Sequence, residues 1–220
     1  MRTCAGIAWS YPSALLAAYL VLWVGLAIAP WYRADWLLEN ALVAVAGPCL
    51  VWAHRRLRFS NAACSCLFAF FVLHAVGAHY TYSLVPYDRW FETLTGSALN
   101  PRLGLARNHY DRLVHFCYGA LMLRPCVELL RRVAPARGAW RFWLPILFIA
   151  SHSVLYELIE FAAALAFGGD LGQAYLGTQG DEWDSQKDSF LATGGAFLAM
   201  LATRGWRDPE EAAGGAGWEI

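Results

Sequence analysis

Apolar residues gather along the chain into long runs separated by short stretches that hold charges and turn formers. A helix needs about 20 mostly apolar residues to cross the ~30 Å hydrocarbon core of a bilayer. Six stretches approach that length, over about 13–29, 36–53, 62–85, 111–130, 140–167 and 187–203. The first ends at Pro30, and the second is the most interrupted, by Glu39, Asn40 and Pro48. Within lipid every backbone polar group must be satisfied inside its own segment, so all six are predicted to be helices. The expected fold is therefore all-α: a polytopic transmembrane helix bundle forming a single membrane-embedded domain over 1–205. A short tail, 206–220, ends in EEAAGGAGWEI and reads as disordered.

Composition sharpens this reading. Hydrophobic residues make up 58% of the chain and charged residues 15%, far from the balance of a soluble domain. Lys plus Arg and Asp plus Glu are both 17, so nothing points to a nucleic-acid partner or to a broadly acidic or basic surface. The placement of the charges is more informative. Arg55, Arg56 and Arg58 follow the second segment, Arg131, Arg132, Arg137 and Arg141 follow the fourth, and Arg204 and Arg207 follow the sixth. Positive loops stay in the cytoplasm. The pattern predicts both termini inside, with the loops after segments one, three and five facing outward across a bacterial inner membrane. Trp31, Tyr32, Trp36, Tyr80, Tyr82, Trp90 and Trp183 fall near the predicted outer boundaries, and Trp52, Trp140, Trp143 and Trp206 near the inner ones, as interfacial aromatics do.

A competing reading of the first segment is a signal peptide, with Arg2, an apolar run and Ala27-Ile28-Ala29 as the small-residue cleavage site. The length of the run, Trp23 within it and Pro30 directly after it favour a retained helix. The cysteines Cys49, Cys64, Cys66, Cys117 and Cys126 lie in apolar stretches without zinc or redox spacing, and read as small buried hydrophobes.

Ionisable residues inside membrane helices are costly, so each needs a partner, a cavity or a function. In this chain they converge. Asp111 and His115 stand four residues apart at the outer end of the fourth segment. Ser153, Glu157 and Glu160 follow one stripe of the fifth. Asp181, Asp184 and Asp188 precede and open the sixth, sharing a stripe if that stretch is already helical. His79, near the outer end of the third segment, is a further member, with His74 a weaker one. Three readings stand open. Carboxylate and imidazole ligands, here His79, His115, Glu160, Asp184 and Asp188, can hold a divalent metal ion that polarises a phosphate or carbonyl group or activates water, with Glu157, Glu160, His115 and Asp111 as acid-base groups. The same groups can relay protons or cations in a small transporter. Or they form a structural polar network neutralised by Arg107, Arg112 and Lys187. The first reading makes the substrate a lipid-linked or envelope molecule.

Other features read more plainly. His152 is expected to be a hydrogen-bonded core residue, and Gly194 and Gly195 to permit close helix packing. The segment PYDRWFETLTGSALNPRLGLARNHYD is expected to be a long outer loop with a short interfacial helix, able to cover the site. No internal repeat suggests an inverted-repeat transporter.

Four strings, VPYDRWFE, RNHYDRLVHF, YELIEF and GTQGDEWDSQKD, resemble the uncharacterised bacterial inner-membrane family typified by YjdF, and with the helix pattern the likeness covers nearly the whole chain. That resemblance implies a multi-pass membrane protein and carries no activity with it. The order Asp-Arg-x-x-His-Phe, Glu-x-x-Glu, Asp-x-x-x-Asp is more distantly similar to VanZ-like proteins, some of which are linked to glycopeptide-antibiotic resistance. The last segment has Ala192 to Gly195 in place of the asparagine that likeness calls for.

Overall fold

The computed structural model describes residues 10–203. Arg2, Arg204, Trp206, Arg207 and the 206–220 tail lie outside them. The described residues form nine helices and no strand: α1 (Tyr11–Leu26), α2 (Arg33–Leu57), α3 (Asn61–His79), α4 (Tyr87–Thr95), α5 (Leu99–Leu103), α6 (Tyr110–Val133), α7 (Trp140–Phe167), α8 (Gly169–Leu176) and α9 (Asp184–Ala202). Four of these, α2, α3, α6 and α7, are long and apolar enough to cross a membrane, while α1 is a shorter apolar helix. At 1.5 Å per residue the 28 residues of α7 reach about 42 Å, more than the hydrocarbon core needs.

The helices begin where local chemistry allows. Ser10 accepts the Ser13 backbone N–H at 3.4 Å with Pro12 in the first turn of α1, and Ser60 accepts the Ala63 N–H at 3.1 Å to cap α3. Helix α2 differs from the interrupted segment read in the sequence, for it runs unbroken through Glu39, Asn40 and Pro48. The polar pair is tolerated because it faces inward: Asn40 accepts from Trp23 Nε1 at 2.6 Å and donates to the Trp36 carbonyl at 2.7 Å. Helix α3 ends six residues before the expected 85. There Thr81 and Tyr82 take positive φ, the Tyr82 N–H donates to the Gly77 carbonyl at 2.8 Å, and the phenol returns to His74 Nδ1 at 2.5 Å. The long loop after it holds two short helices, α4 and α5, and the acidic loop after α7 holds α8, which periodicity did not reveal.

Both ends of the bundle are stitched. At one, Glu128 near the C-terminal end of α6 accepts from Ser60 N and Oγ at 2.8 and 2.6 Å and from Arg124 Nε at 2.6 Å, tying the α2–α3 turn to α6. At the other, the Trp31 N–H donates to the His79 carbonyl at 2.8 Å, and Arg107 bonds the Thr178 carbonyl ahead of α9. Between these ends α6 is the hub, packed on α3, α7 and α9. Leu123, Cys126, Val127, Leu130, Ile149 and Ala196 form its main apolar core.

The α6–α9 seam is made by glycine. A Cβ on Gly119 would stand 1.8 Å from the Ala192 carbonyl oxygen, and one on Gly195 would stand 2.2 Å from that of Phe116. Gly194, expected to share this role, has nothing within 4 Å of its virtual Cβ. The described cysteines are all free thiols. Cys64 and Cys126 are buried as expected, but Cys49 is exposed and Cys66 and Cys117 are half-buried. Elsewhere large apolar side chains cover the outside, among them Val21, Leu165 and Phe190, each more than 70% exposed. In a bilayer that surface meets its own kind.

Candidate functional site

Helix α6 supplies the first groups at its N-terminal end. Asp111 and His115, one turn apart, point to the same side, and the His115 Nε2 to Asp111 Oδ1 distance is 3.5 Å. The glycine seam sets α9 directly alongside, and Asp188 stands 1% exposed opposite them. Asp111, His115 and Asp188 each offer a ligand atom, and the three atoms lie within 4.8 Å of one another. From α7, Glu157 brings Oε1 to 3.6 Å from the same His115 nitrogen. Glu160, one turn on, is buried and lies within electrostatic reach of Asp111, Glu157 and Glu39.

A second set of charges lies beside the first. Arg107 Nη2 meets Asp184 Oδ1 at 2.6 Å, and Arg112 Nη2 meets the same oxygen at 2.6 Å and Asp181 Oδ2 at 2.9 Å. Lys187 Nζ holds Asp181 at 2.7 Å. Asp181 is not on the helix: it sits in the turn before α9, with its N–H on the Thr178 carbonyl. The Lys187 hydrogen bond, the Trp183 backbone N–H and the Arg112 charge hold its carboxyl down to about 2.

These cations approach Asp181 and Asp184 most closely and reach the deeper acids only through the longer Arg112–Asp188 contact. Arg112 Nε comes no nearer to Asp188 Oδ1 than 3.7 Å, and Asp188 Oδ1, Glu157 Oε1 and Ser153 Oγ are buried with no hydrogen bond. Carboxylate oxygens buried without partners cost several kcal/mol by order of magnitude, unless a proton or a cation joins them.

Helix α2 adds acids the sequence reading passed over. Asp35 is 1% exposed with neither oxygen hydrogen-bonded, and Glu39, one turn on, is 3% exposed and takes a long 3.4 Å contact from Tyr156 Oη. In the sequence Glu39 looked like an interruption of a weak span. The i, i+4 spacing of Asp35 and Glu39, the same as that of Asp111 and His115, was the available signal.

Two of the expected members stand apart. His79 Nδ1 bonds the Leu26 carbonyl at 2.7 Å and its ring packs on Tyr80, a role in joining α3 to the end of α1. His74 is buried against Tyr82 and Phe70. His152 has the hydrogen bond expected of it, to Tyr118 Oη at 2.8 Å, but on an exposed face of α7 rather than in the core.

Beneath the acids a cavity of about 600 Å³ separates α2 from α6 and α7. Glu39, Asp111, His115, Tyr156 and Glu160 form its polar end, and Leu42, Phe70, Met122, Leu129 and Ile149 are among its apolar walls. Its volume is that of a small-molecule site, ~300–1,000 Å³.

The comparisons with known proteins agree with this architecture. The chain is 33% identical to Inner membrane protein YjdF of Escherichia coli (strain K12) over 190 residues, 86% of each chain. No solved structure matches it. Residues 11–209 match the family described as "Predicted membrane protein (DUF2238)". The matched stretch contains every helix described above and all of the clustered acids, and the chain belongs to this family of multi-pass inner-membrane proteins.

Proposed function

We propose that Asp111, His115 and Asp188, with Glu157 beside them, hold a divalent cation at the non-cytoplasmic end of a six-span bundle, where it serves a metal-assisted or acid-base reaction on an envelope or lipid-linked substrate. Helices α1 and α9 complete the six spans. The 16 residues of α1 pack on α3, and α9 packs on α6 and α7, which supports counting both among the spans. Arg55, Arg56 and Arg58 at the end of α2 and Arg131, Arg132 and Arg137 at and just after the end of α6 lie at the end stitched by Glu128, which supports placing that end in the cytoplasm. Both termini are then inside, and residues 1–205 form one membrane domain with a cytoplasmic tail.

The observation that carries the proposal is the pair of buried carboxylate oxygens without a hydrogen bond, Asp188 Oδ1 and Glu157 Oε1, beside a histidine and a third carboxylate. Carboxylate and imidazole donors suit zinc or manganese. Such an ion polarises a phosphate or carbonyl oxygen or lowers the pKa of bound water. Glu157 and Glu160 take and return the proton in this reading.

Metal analysis of the purified protein tests this. Wild type is expected to carry stoichiometric metal, and Asp188→Asn and Glu157→Gln to lose it while keeping a monodisperse folded fraction. Wild type without metal, or variants that keep it, would leave the cluster as a structural network.

A second reading, a proton- or cation-coupled carrier, is favoured by Asp35, Glu39 and Glu160 together, since Asp35 and Glu39 on α2 add buried acids to that of Glu160 on α7. It ranks lower because the remaining length of the cavity is walled by Leu50, Leu67, Met122 and Leu129. Proteoliposome flux abolished by Glu160→Gln would reverse that ranking.

A further inference from the structure

The cavity has a direction and an opening. Its lining on α6 runs from Asp111 to Leu129, a separation of 18 positions, or about 27 Å at the helical rise. That nearly equals the ~30 Å thickness of the hydrocarbon core. Polar groups are concentrated at one end, and most of the length is Val, Leu, Phe, Met and Ile. The wall is incomplete on one side. Val45 on α2 and Phe148, Leu155 and Ile159 on α7 line the cavity and are 43–65% exposed. Helix α2 packs on α3 and α8, and the gap beside it faces α7.

We infer that this cavity is the binding site for the hydrocarbon tail of a membrane lipid, which enters sideways between α2 and α7 and sets its polar head against Glu39, Asp111, His115 and Glu160. The inference deepens the proposed function, on which it rests for the fate of the head. The tail follows from geometry alone. An apolar chamber at this depth that opens toward acyl chains is filled by what lies outside it, and a chain entering from the bilayer exchanges one hydrocarbon surrounding for another. The length selects a long unbranched or isoprenoid chain over a short one. The carboxylates at the head end select a head that brings its own cation or is bridged by the bound metal.

The test is photolabelling in vesicles of phosphatidylethanolamine and phosphatidylglycerol doped with a phosphatidylglycerol that carries a diazirine near the end of one acyl chain, with peptide mapping and metal analysis on the same samples. The expected label falls on interior wall residues, Leu67, Met122 and Leu129. It should drop at least tenfold there in Ala46→Trp and in Val43→Trp, which fill the chamber from α2, and remain unchanged in Val21→Trp on the outer face of α1. Two independent filling variants guard against one that misfolds. Label confined to outward residues such as Val21, Leu165 and Phe190, or interior label that neither filling variant reduces, would overturn the inference. Metal retained in such a result would leave the catalytic reading standing alone. Interior label in a protein that holds no metal would keep the tail site and remove the metal.

Discussion

Gly119→Ala probes how far the site depends on the α6–α9 seam. The added methyl would lie 1.8 Å from the Ala192 carbonyl oxygen and 2.8 Å from the Ala196 nitrogen. The first contact is 1.6 Å short of the 3.4 Å at which ordinary contact begins, and the obstacle is backbone, so it cannot swing aside. Replacing Gly by Ala in a helix gains roughly 0.5–1 kcal/mol. Overpacking a tight interface costs roughly 1–3 kcal/mol. With a rigid obstacle the cost falls at the upper end, for a net loss of about 2 kcal/mol. Separating the helices also pulls Asp188 from Asp111 and His115, which sit within two turns of Gly119, so bound metal should fall at least tenfold. Scanning calorimetry or fluorimetry in detergent reads the first effect, and metal analysis reads the second. Gly194→Ala, with open space around its virtual Cβ, is the matched control and should be neutral or slightly stabilising. Equal melting of Gly119→Ala and wild type would refute the backbone contact on which the placement of Asp188 rests.

Four further outcomes are expected. Arg112→Met strips the cation shared by Asp181, Asp184 and Asp188 and should cost about 3–5 kcal/mol, as removing one partner of a buried ion pair does, with partial recovery in Arg112→Lys by denaturant titration. Glu128→Ala removes the carboxylate that accepts from Ser60 and Arg124 and should lower the melting temperature by an amount equivalent to about 2 kcal/mol while bound metal stays constant, which separates this cluster from the proposed metal site. Because the folded carboxyl of Asp181 is depressed to about 2, its stabilising contribution is complete above the ordinary value near 3.8 and vanishes as pH falls through about 2. The melting difference between wild type and Asp181→Asn should therefore be constant at pH 5–7 and close between about pH 4 and pH 2. A reporter fused after residue 220 should be active only in the form that works in the cytoplasm, and a periplasmic signal would reverse the proposed orientation.

The membrane helices were legible because lipid leaves a chain few options. Length and apolarity located α7 at 140–167 exactly where the structure has it, and placed α6 to within three residues. What the sequence concealed were features decided by tertiary contact. Glu39 and Asn40 resembled a break in α2 because hydropathy records only their polarity, whereas Asn40 is satisfied by Trp23 and Glu39 turns inward. The end of α3 depends on Tyr82 folding onto Gly77, a contact that no window of composition records. Within the site, the i, i+4 pair Asp111 and His115 and the stripe of Glu157 and Glu160 were readable from helical spacing, because that spacing fixes the face. His79 sits at the right depth but on the wrong side of its helix, and depth alone was what the sequence supplied.

The seam between α6 and α9 leaves no side chain free to change rotamer where the two backbones touch, so those helices move together or not at all. Helix α2 is fastened differently: Trp36 and Asn40 rest on Trp23 near its start, Ala53 and Leu57 rest on Phe59 and Ala63 near its finish, and the middle, with Pro48, spans open space. Proline has already removed one rung of the hydrogen-bond ladder there. Bowing of that one helix is the least expensive way to widen the chamber. On the proposed lipid site, the rate of exchange with the surrounding leaflet would be set by the stiffness of α2, and the proposed metal ligands on the locked pair would be spared the motion.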